Sequence, residues 1–490
     1  MQTDPSRLSS RLRDLLRSAP APAGTRDSAA PLGAVGPEAD QRRELTYELE
    51  GAAAAAGGVE RGCVVLERHY DLDMPHGGHA VAHYGEALSR CLPALAVLAA
   101  DERAAAAPRE ARAVRLEWGG GRGLADDRPR PGVPTAGPLL FFDLETTGLS
   151  GGAGTLAFLV GCGFFDADGF HTRQFFLSGF EAEREMLDAL TPLTARFGGL
   201  VTFNGRTFDV PLIETRYLFH RLESPFAEMP HFDMLHPARK LWRRRNIAQP
   251  SHRERWSDGR PGEHASCALG ALEEAILGVE RFDDVPGFEI PSRYFSYLRT
   301  GDLAPLAAVF EHNRLDLLSL AALTAIAAQM ADEGPSGARA PHEALAMGQI
   351  YQRLGRRDEA DRCFSRAAGL GEAPWEPRSI DREIRADALR HLALERRRQH
   401  RYEEAADAWR QLLEIGGGPA VVQEARRALA IHHEHRVRDL EEARRQAEQA
   451  LTSERDPAEA EALRHRLARL DRKLDRSRTR CCCQYLRSLA

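Results

Sequence analysis

The chain has 490 residues and a mass of 54.2 kDa, and at ~150 residues per domain that length calls for more than one domain. Hydrophobic residues make up 43% and charged residues 28%, the balance of an ordinary soluble globular protein. Its 66 basic and 72 acidic residues leave a formal charge of −6, which excludes a wholly basic, histone-like chain but leaves room for a local nucleic-acid face.

Residues 1–45 are rich in Ala, Pro, Ser, Gly and Arg and read as disordered apart from a short helix near Leu8–Leu16. They contain no apolar run of ~7–15 residues and so no secretory signal. Residues 60–72, with GCVVLERHYDL, read as a strand, and residues 85–100 as a helix. A Gly/Pro/Arg-rich linker, Gly119–Gly137, completes an N-terminal extension over 46–137. From Pro138 the character changes. PLLFFDLETTGL is a buried strand ending in a carboxylate-bearing turn, and TLAFLVGCGFF and TRQFFLSG are two more strands joined by a turn at Asp166–Gly169. Glu181–Phe197 reads as a helix, GLVTFNG as a strand and Asp209–Leu222 as a helix, followed by a helix-rich stretch to Met330. This order predicts an α/β domain over 138–332, a mixed sheet with flanking helices. The most apolar segment, Leu317–Met330, is shorter than the ~20 residues of a membrane span and reads as a buried helix.

From Pro341 to about 475 the pattern is helical and repetitive. On a 34-residue tetratricopeptide template, Gly348, Tyr351, Ala360 and Phe364 take the positions where two antiparallel helices pack. Leu392, Ala393, Ala405 and Trp409 align a second unit, and Ala430, Ala443, Ala447 and Ala450 a weaker third. Residues 476–490 read as a tail. Eight cysteines are too sparse for a disulfide scaffold: Cys63, Cys91, Cys162, Cys267 and Cys363 read as reduced core residues, and Cys481–Cys483 lack a CxxC partner for zinc. The chain reads as cytoplasmic, without a membrane partner.

Three segments carry chemistry. In FFDLETTGL, Asp143 and Glu145 are two apart on a strand and point to one side, so two carboxylates converge where an apolar strand ends. Buried together they need a cation, and a hard divalent ion such as Mg²⁺ or Mn²⁺ prefers oxygen ligands. In TFNGRTFDVPLI a strand ends at Asn204 and Asp209 opens the next helix. In VFEHNRLDLLSL, His312 and Asp316 lie four apart on one helix face, at the edge of an apolar run. Between the second and third segments, Arg239, Lys240, Arg243, Arg244, Arg245, Arg253, Arg255 and Arg260 are interleaved with Trp242 and Trp256. Arginines grip phosphates and indoles stack on unpaired bases, so this run reads as a nucleic-acid contact. His69, Asp71, Asp73, His76 and His79 match no known ligand spacing and read as a loop near the catalytic face. His432, His433 and His435 read as surface residues, and Gly148, Gly151, Gly152 and Gly154 as a flexible turn.

The acids carry a resemblance. FDLETTGL, FNGRTFD and HNRLD resemble the three motifs of the DEDD superfamily of 3′–5′ exonucleases, which share a ribonuclease-H-like fold, over about residues 138–330. The likeness is closest to the YprB-like branch, which joins such a domain to C-terminal tetratricopeptide repeats; CALGALEEAILGVER, DDVPGFEIPSRYF and ERHYDLDMPHG also resemble it. The resemblance implies hydrolysis of single-stranded DNA or RNA with two Mg²⁺ or Mn²⁺ ions. Asp143 would bridge the ions, Glu145 and Asp316 would hold the one that activates water, and Asp209 would support the second. Thr146 and Asn204 would join Arg239, Lys240 and Arg243–Arg245 on the nucleic acid. His312 occupies the spacing of the tyrosine form of the third motif, with Glu311 where the histidine form has its histidine, and would accept or orient the proton of water. Asn313 has no role in that scheme. Two other readings use the same residues: a nucleic-acid-binding scaffold whose repeats recruit a protein partner, and an integrase-type or Holliday-junction enzyme.

Overall fold

The computed structural model describes residues 62–99, 134, 137–148, 154–243, 267–281, 284–370 and 379–488. The expected disorder and helix within 1–45, most of the linker Gly119–Gly137, and Gly151 and Gly152 lie outside them. The chain divides into two compact units, one of residues 1–239 and 262–329, the other of 240–261 and 330–490.

In the first unit, β1 (Cys63–Asp71) leads into a small hairpin, β2 (Pro75–His76) and β3 (His79–Ala80), and then α1 (Val81–Cys91). The main sheet continues with β4 (Leu139–Thr146), β5 (Ala157–Phe165), β6 (Gly169–Leu177), β7 (Gly199–Thr202) and β8 (His231–Asp233), in spatial order β1-β6-β5-β4-β7-β8. Strands β1, β6, β5 and β4 pair antiparallel, and β4, β7 and β8 pair parallel, so the sheet is mixed as expected. The tight turn between β5 and β6 is held by the Asp166 carboxylate, which accepts from Asp168 N at 2.9 Å and Gly169 N at 3.2 Å. The parallel step from β4 to β7 needs a crossover, supplied by α2 (Glu183–Thr194). The segment read as a separate extension thus contributes an edge strand: β1 pairs with β6 from Cys63 opposite Leu177 to Asp71 opposite Gly169.

After β7, α3 (Asp209–Phe219) packs beside α2 through a buried ion pair, with Arg216 Nε 2.5 Å from Glu183 Oε1. Next come α4 (Leu235–Leu241), the short α5 (Leu269–Leu272), α6 (Ile290–Thr300) and the 30-residue α7 (Ala304–Glu333). Tyr294 of α6 stacks on Phe158 of β5 with ring centroids 4.1 Å apart and donates to Leu177 O at 2.8 Å. Helix α7 is longer than the apolar segment seen in the sequence. By length and hydropathy it would cross a bilayer, but most of it is buried in the protein. It can lie close to the sheet because β5 carries glycines beneath it: a Cβ on Gly163 would meet Leu317 Cβ at 3.3 Å and Phe170 Cζ at 2.6 Å.

The elements of the second unit are helices among the described residues. Its helices are α8 (Pro341–Arg353), α9 (Arg357–Gly369), α10 (Ser379–Arg398), α11 (Tyr402–Ile415), α12 (Pro419–His432), α13 (Leu440–Ser453) and α14 (Pro457–Ser488). A Cβ on Gly348 would sit 2.5 Å from Phe364 Cε1, so the smallest residue of α8 faces the largest of α9. Three expectations are corrected. Residues 476–488 are not an irregular tail but the last turns of α14. His432 is buried, because it lies on the packed face of α12; His433 is half-buried and His435 exposed. Trp242 is fully buried, so its indole packs in the protein rather than standing ready for a base.

Candidate functional site

Asp143 and Glu145 project from the end of β4, just before its register shifts at Glu145/Thr146. Asp209 opens α3, and the loop before it is fastened by Asp233 at the end of neighbouring β8. Asp233 Oδ1 accepts from Asn204 N at 2.8 Å and Leu235 N at 3.1 Å, and its Oδ2 accepts from Arg206 N at 3.0 Å. This grip holds Asn204 in the left-handed region, at φ 68°, which asparagine tolerates better than most residues. Asp316 lies on α7, one turn after His312.

The four acids share one electrostatic field. Burial, followed by the charge of Asp316, pushes the Asp143 carboxyl up to about 7. Burial, then Asp143, raises Glu145 well above the usual carboxylate range; burial, then Asp143 and Asp233, does the same to Asp209. The Glu145 and Asp209 carboxylates have no hydrogen bond or close ion pair among the described residues, although the charge of His312 acts on Glu145.

Asp143 and Asp316 do have partners. Asn313 Nδ2 donates to Asp143 Oδ2 at 2.8 Å, and Arg281 Nη2 donates to Asp316 Oδ1 at 2.5 Å. Arg281 is a buried hub: it also reaches Glu273 at 2.6 Å and Asp284 at 3.5 Å. His312 bonds through Nδ1 to Asp284 Oδ1 at 2.7 Å, with Nε2 3.6 Å from Asp316 Oδ2. Burial opposes charge on His312, but Asp316, the Asp284 hydrogen bond and Glu145 outweigh it and push its pKa up to about 10. These neighbours favour the charged ring, which weighs against the expected role of His312 as a proton acceptor.

Among the described residues, no three His, Cys, Asp or Glu side chains converge tightly enough to hold an ion as they stand. Asp143 and Asp316 instead turn toward N–H donors. The donors on offer are still carboxylate oxygens, the ligand set of a hard divalent cation.

The expected nucleic-acid residues are less gathered. Thr146 is half-buried, its Oγ1 donating to Gly148 O at 2.8 Å. Arg239 and Arg243 are exposed and Lys240 half-buried, while Arg244, Arg245, Arg253, Arg255, Trp256 and Arg260 lie outside the described residues. The unit boundary falls between Arg239 and Lys240. The histidine-rich loop at 69–79 does border the site. His76 Nε2 is 2.9 Å from Ser319 Oγ, one turn beyond Asp316, and Gly78 N donates to Leu277 O at 3.2 Å.

Sequence reasoning missed Arg281, Asp284 and Gln174, and it noted Asn313 without assigning it a role. Gly161, opposite Asp143, is one of two glycines in β5, and nothing local in the sequence tied it to Asn313.

The RNase_H superfamily profile matches residues 140–328. The uncharacterized protein YprB of Bacillus subtilis (strain 168) is 31% identical over 345 residues, which cover 68% of this chain and 75% of that protein. The family B DNA polymerase from the hyperthermophilic archaeon Pyrobaculum calidifontis overlays with a TM-score of 0.27 and 12% identity, across 55% of this chain and 29% of the polymerase.

Proposed function

The chain belongs to the YprB family within the RNase_H superfamily, and on that premise we propose that it is a divalent-metal-dependent nuclease, a 3′–5′ exonuclease on single-stranded DNA or RNA. The observation that carries this reading is the shared field of Asp143, Glu145, Asp209 and Asp316, in which burial and mutual repulsion raise Asp143, Glu145 and Asp209 although the charge of His312 opposes the rise at Asp143 and Glu145. Asp143, Glu145, Asp209 and Asp316 would hold Mg²⁺ or Mn²⁺, which supplies an activated water and charge relief at the leaving oxygen. Asp143 keeps Oδ1 clear of the Asn313 bond and so keeps it available as a ligand. Arg281 orients Asp316, and Asp284 orients His312. Arg239, with Thr146 and Asn204, would grip the phosphates, and Lys240 and Arg243–Arg245 are assigned to nucleic acid by their sequence pattern alone. The helical hairpins, read as tetratricopeptide-like on the packing of Gly348 against Phe364, offer a surface to a protein partner.

The test is cleavage of single strands of DNA and of RNA, labelled at either end, with Mg²⁺, Mn²⁺ or EDTA. Shortening from the 3′ end that EDTA and Asp143→Asn both abolish is expected. No divalent-dependent cleavage of either polymer overturns the reading. One observation favours the scaffold alternative: Arg281 already occupies Asp316. Strand binding without turnover in the same assay would select it.

A further inference from the structure

Two buried amides, Gln174 on β6 and Asn313 on α7, form a chain that ends on Asp143 of β4. Register places Asp143 on β4 opposite Gly161 on β5, and Gly161 opposite Gln174 on β6. Gln174 and Asn313 are buried to 1% and 0% exposure. Gln174 Nε2 faces two acceptors, Phe310 O at 2.9 Å and Asn313 Oδ1 at 2.8 Å, which fixes which end of its amide is nitrogen. With Asn313 Oδ1 committed to Gln174, Asn313 Nδ2 must face Asp143, and it donates to Oδ2 at 2.8 Å. A flipped Asn313 would set its oxygen against a carboxylate. Gly161 makes the space for this: a Cβ there would lie 2.3 Å from Asn313 Oδ1.

We propose that Asn313 is the positioning residue of Asp143, oriented by Gln174 and admitted by Gly161, and that it fixes which carboxylate oxygen meets a divalent cation. This rests on the metal-dependent reading of the site. Groups bonded to a metal ligand behind its coordinating atom set its rotamer, and removing them weakens metal binding by about 10–100-fold.

The test is Mn²⁺ binding to the full chain, followed by electron paramagnetic resonance and calorimetry, beside thermal melting without metal. Asn313→Ala should weaken Mn²⁺ by about tenfold or more while the fold persists. Gly161→Ala keeps the asparagine but displaces its amide, and should give the same loss if Asn313→Ala fails to fold. Because both substitutions act through one amide, the double variant should bind no more weakly than Asn313→Ala alone. Wild-type Mn²⁺ affinity in either folded single variant overturns the proposal, as do losses that add in the double. Absence of Mn²⁺ binding by the wild type is a different result, and it removes the metal-dependent reading along with this one.

Discussion

Glu434 in the helical unit and Asp143 in the sheet unit are both removed from water, and the protein treats them in opposite ways. Glu434 sits inside a cage of Arg466, Arg469 and Lys473, each within 2.7 Å. Burial would raise its pKa, but hydrogen bonds from Arg469 and Lys473 push it down to about 2. Asp143 receives a neutral amide, its neighbours Glu145 and Asp209 have no side-chain hydrogen bond among the described residues, and burial and mutual repulsion push all three up against the opposing charge of His312 on Asp143 and Glu145. A buried acid with its own cation is finished structure. Several buried acids without one hold affinity in reserve for a cation from outside.

The contrast can be broken at four points, from the largest expected effect to the smallest. Asp143→Asn should reduce cleavage to the EDTA level in the end-label assay, with the fold intact by circular dichroism; activity close to wild type would put Asp143 among the structural acids. Arg216→Met should strand Glu183, 3% exposed, with His220 alone at 2.7 Å, and cost about 3–5 kcal/mol in a urea melt. If instead that variant gained Mn²⁺ affinity, a missing cation would be enough to make a metal site. Glu434→Gln should cost about 1–3 kcal/mol, because the three cations it releases are partly exposed and can hydrate. Its pH dependence has a definite sign. The folded pKa is depressed, so the stabilisation is complete above pH 4.5 and fades as pH falls toward about 2; melts of wild type and variant should converge there. Replacing Arg243, Arg244 and Arg245 by Ala should weaken single-strand binding modestly and lower the log–log salt slope by about 0.7 for each phosphate no longer neutralised. An unchanged slope would take the basic run away from the substrate.

Much of this was legible in the chain. Asp143 and Glu145 share a side because strand geometry has a period of two, and Asp209 and Asp316 were marked by the turn and the helix edge on which they stand. The partners were not legible. Arg281 reaches Asp316 across 35 positions and His312 reaches Asp284 across 28, and no periodicity encodes such contacts. Trp242 misled because an aromatic among arginines has the same pattern whether it is packed or exposed. Strand β1 was readable as a strand, but nothing local named β6 as its neighbour.

That pairing bears on how the protein can be divided. A chain cut at Pro138 would retain all four acids, and by motif content it would pass for a whole nuclease. It would also strip β1 from the nine-residue β6, GFHTRQFFL, uncovering a row of unpaired backbone donors and acceptors flanked by Phe170, Phe175 and Phe176. An uncovered edge of that length is a template for aggregation. The expected product is insoluble protein, and its inactivity would be a false negative for the chemistry.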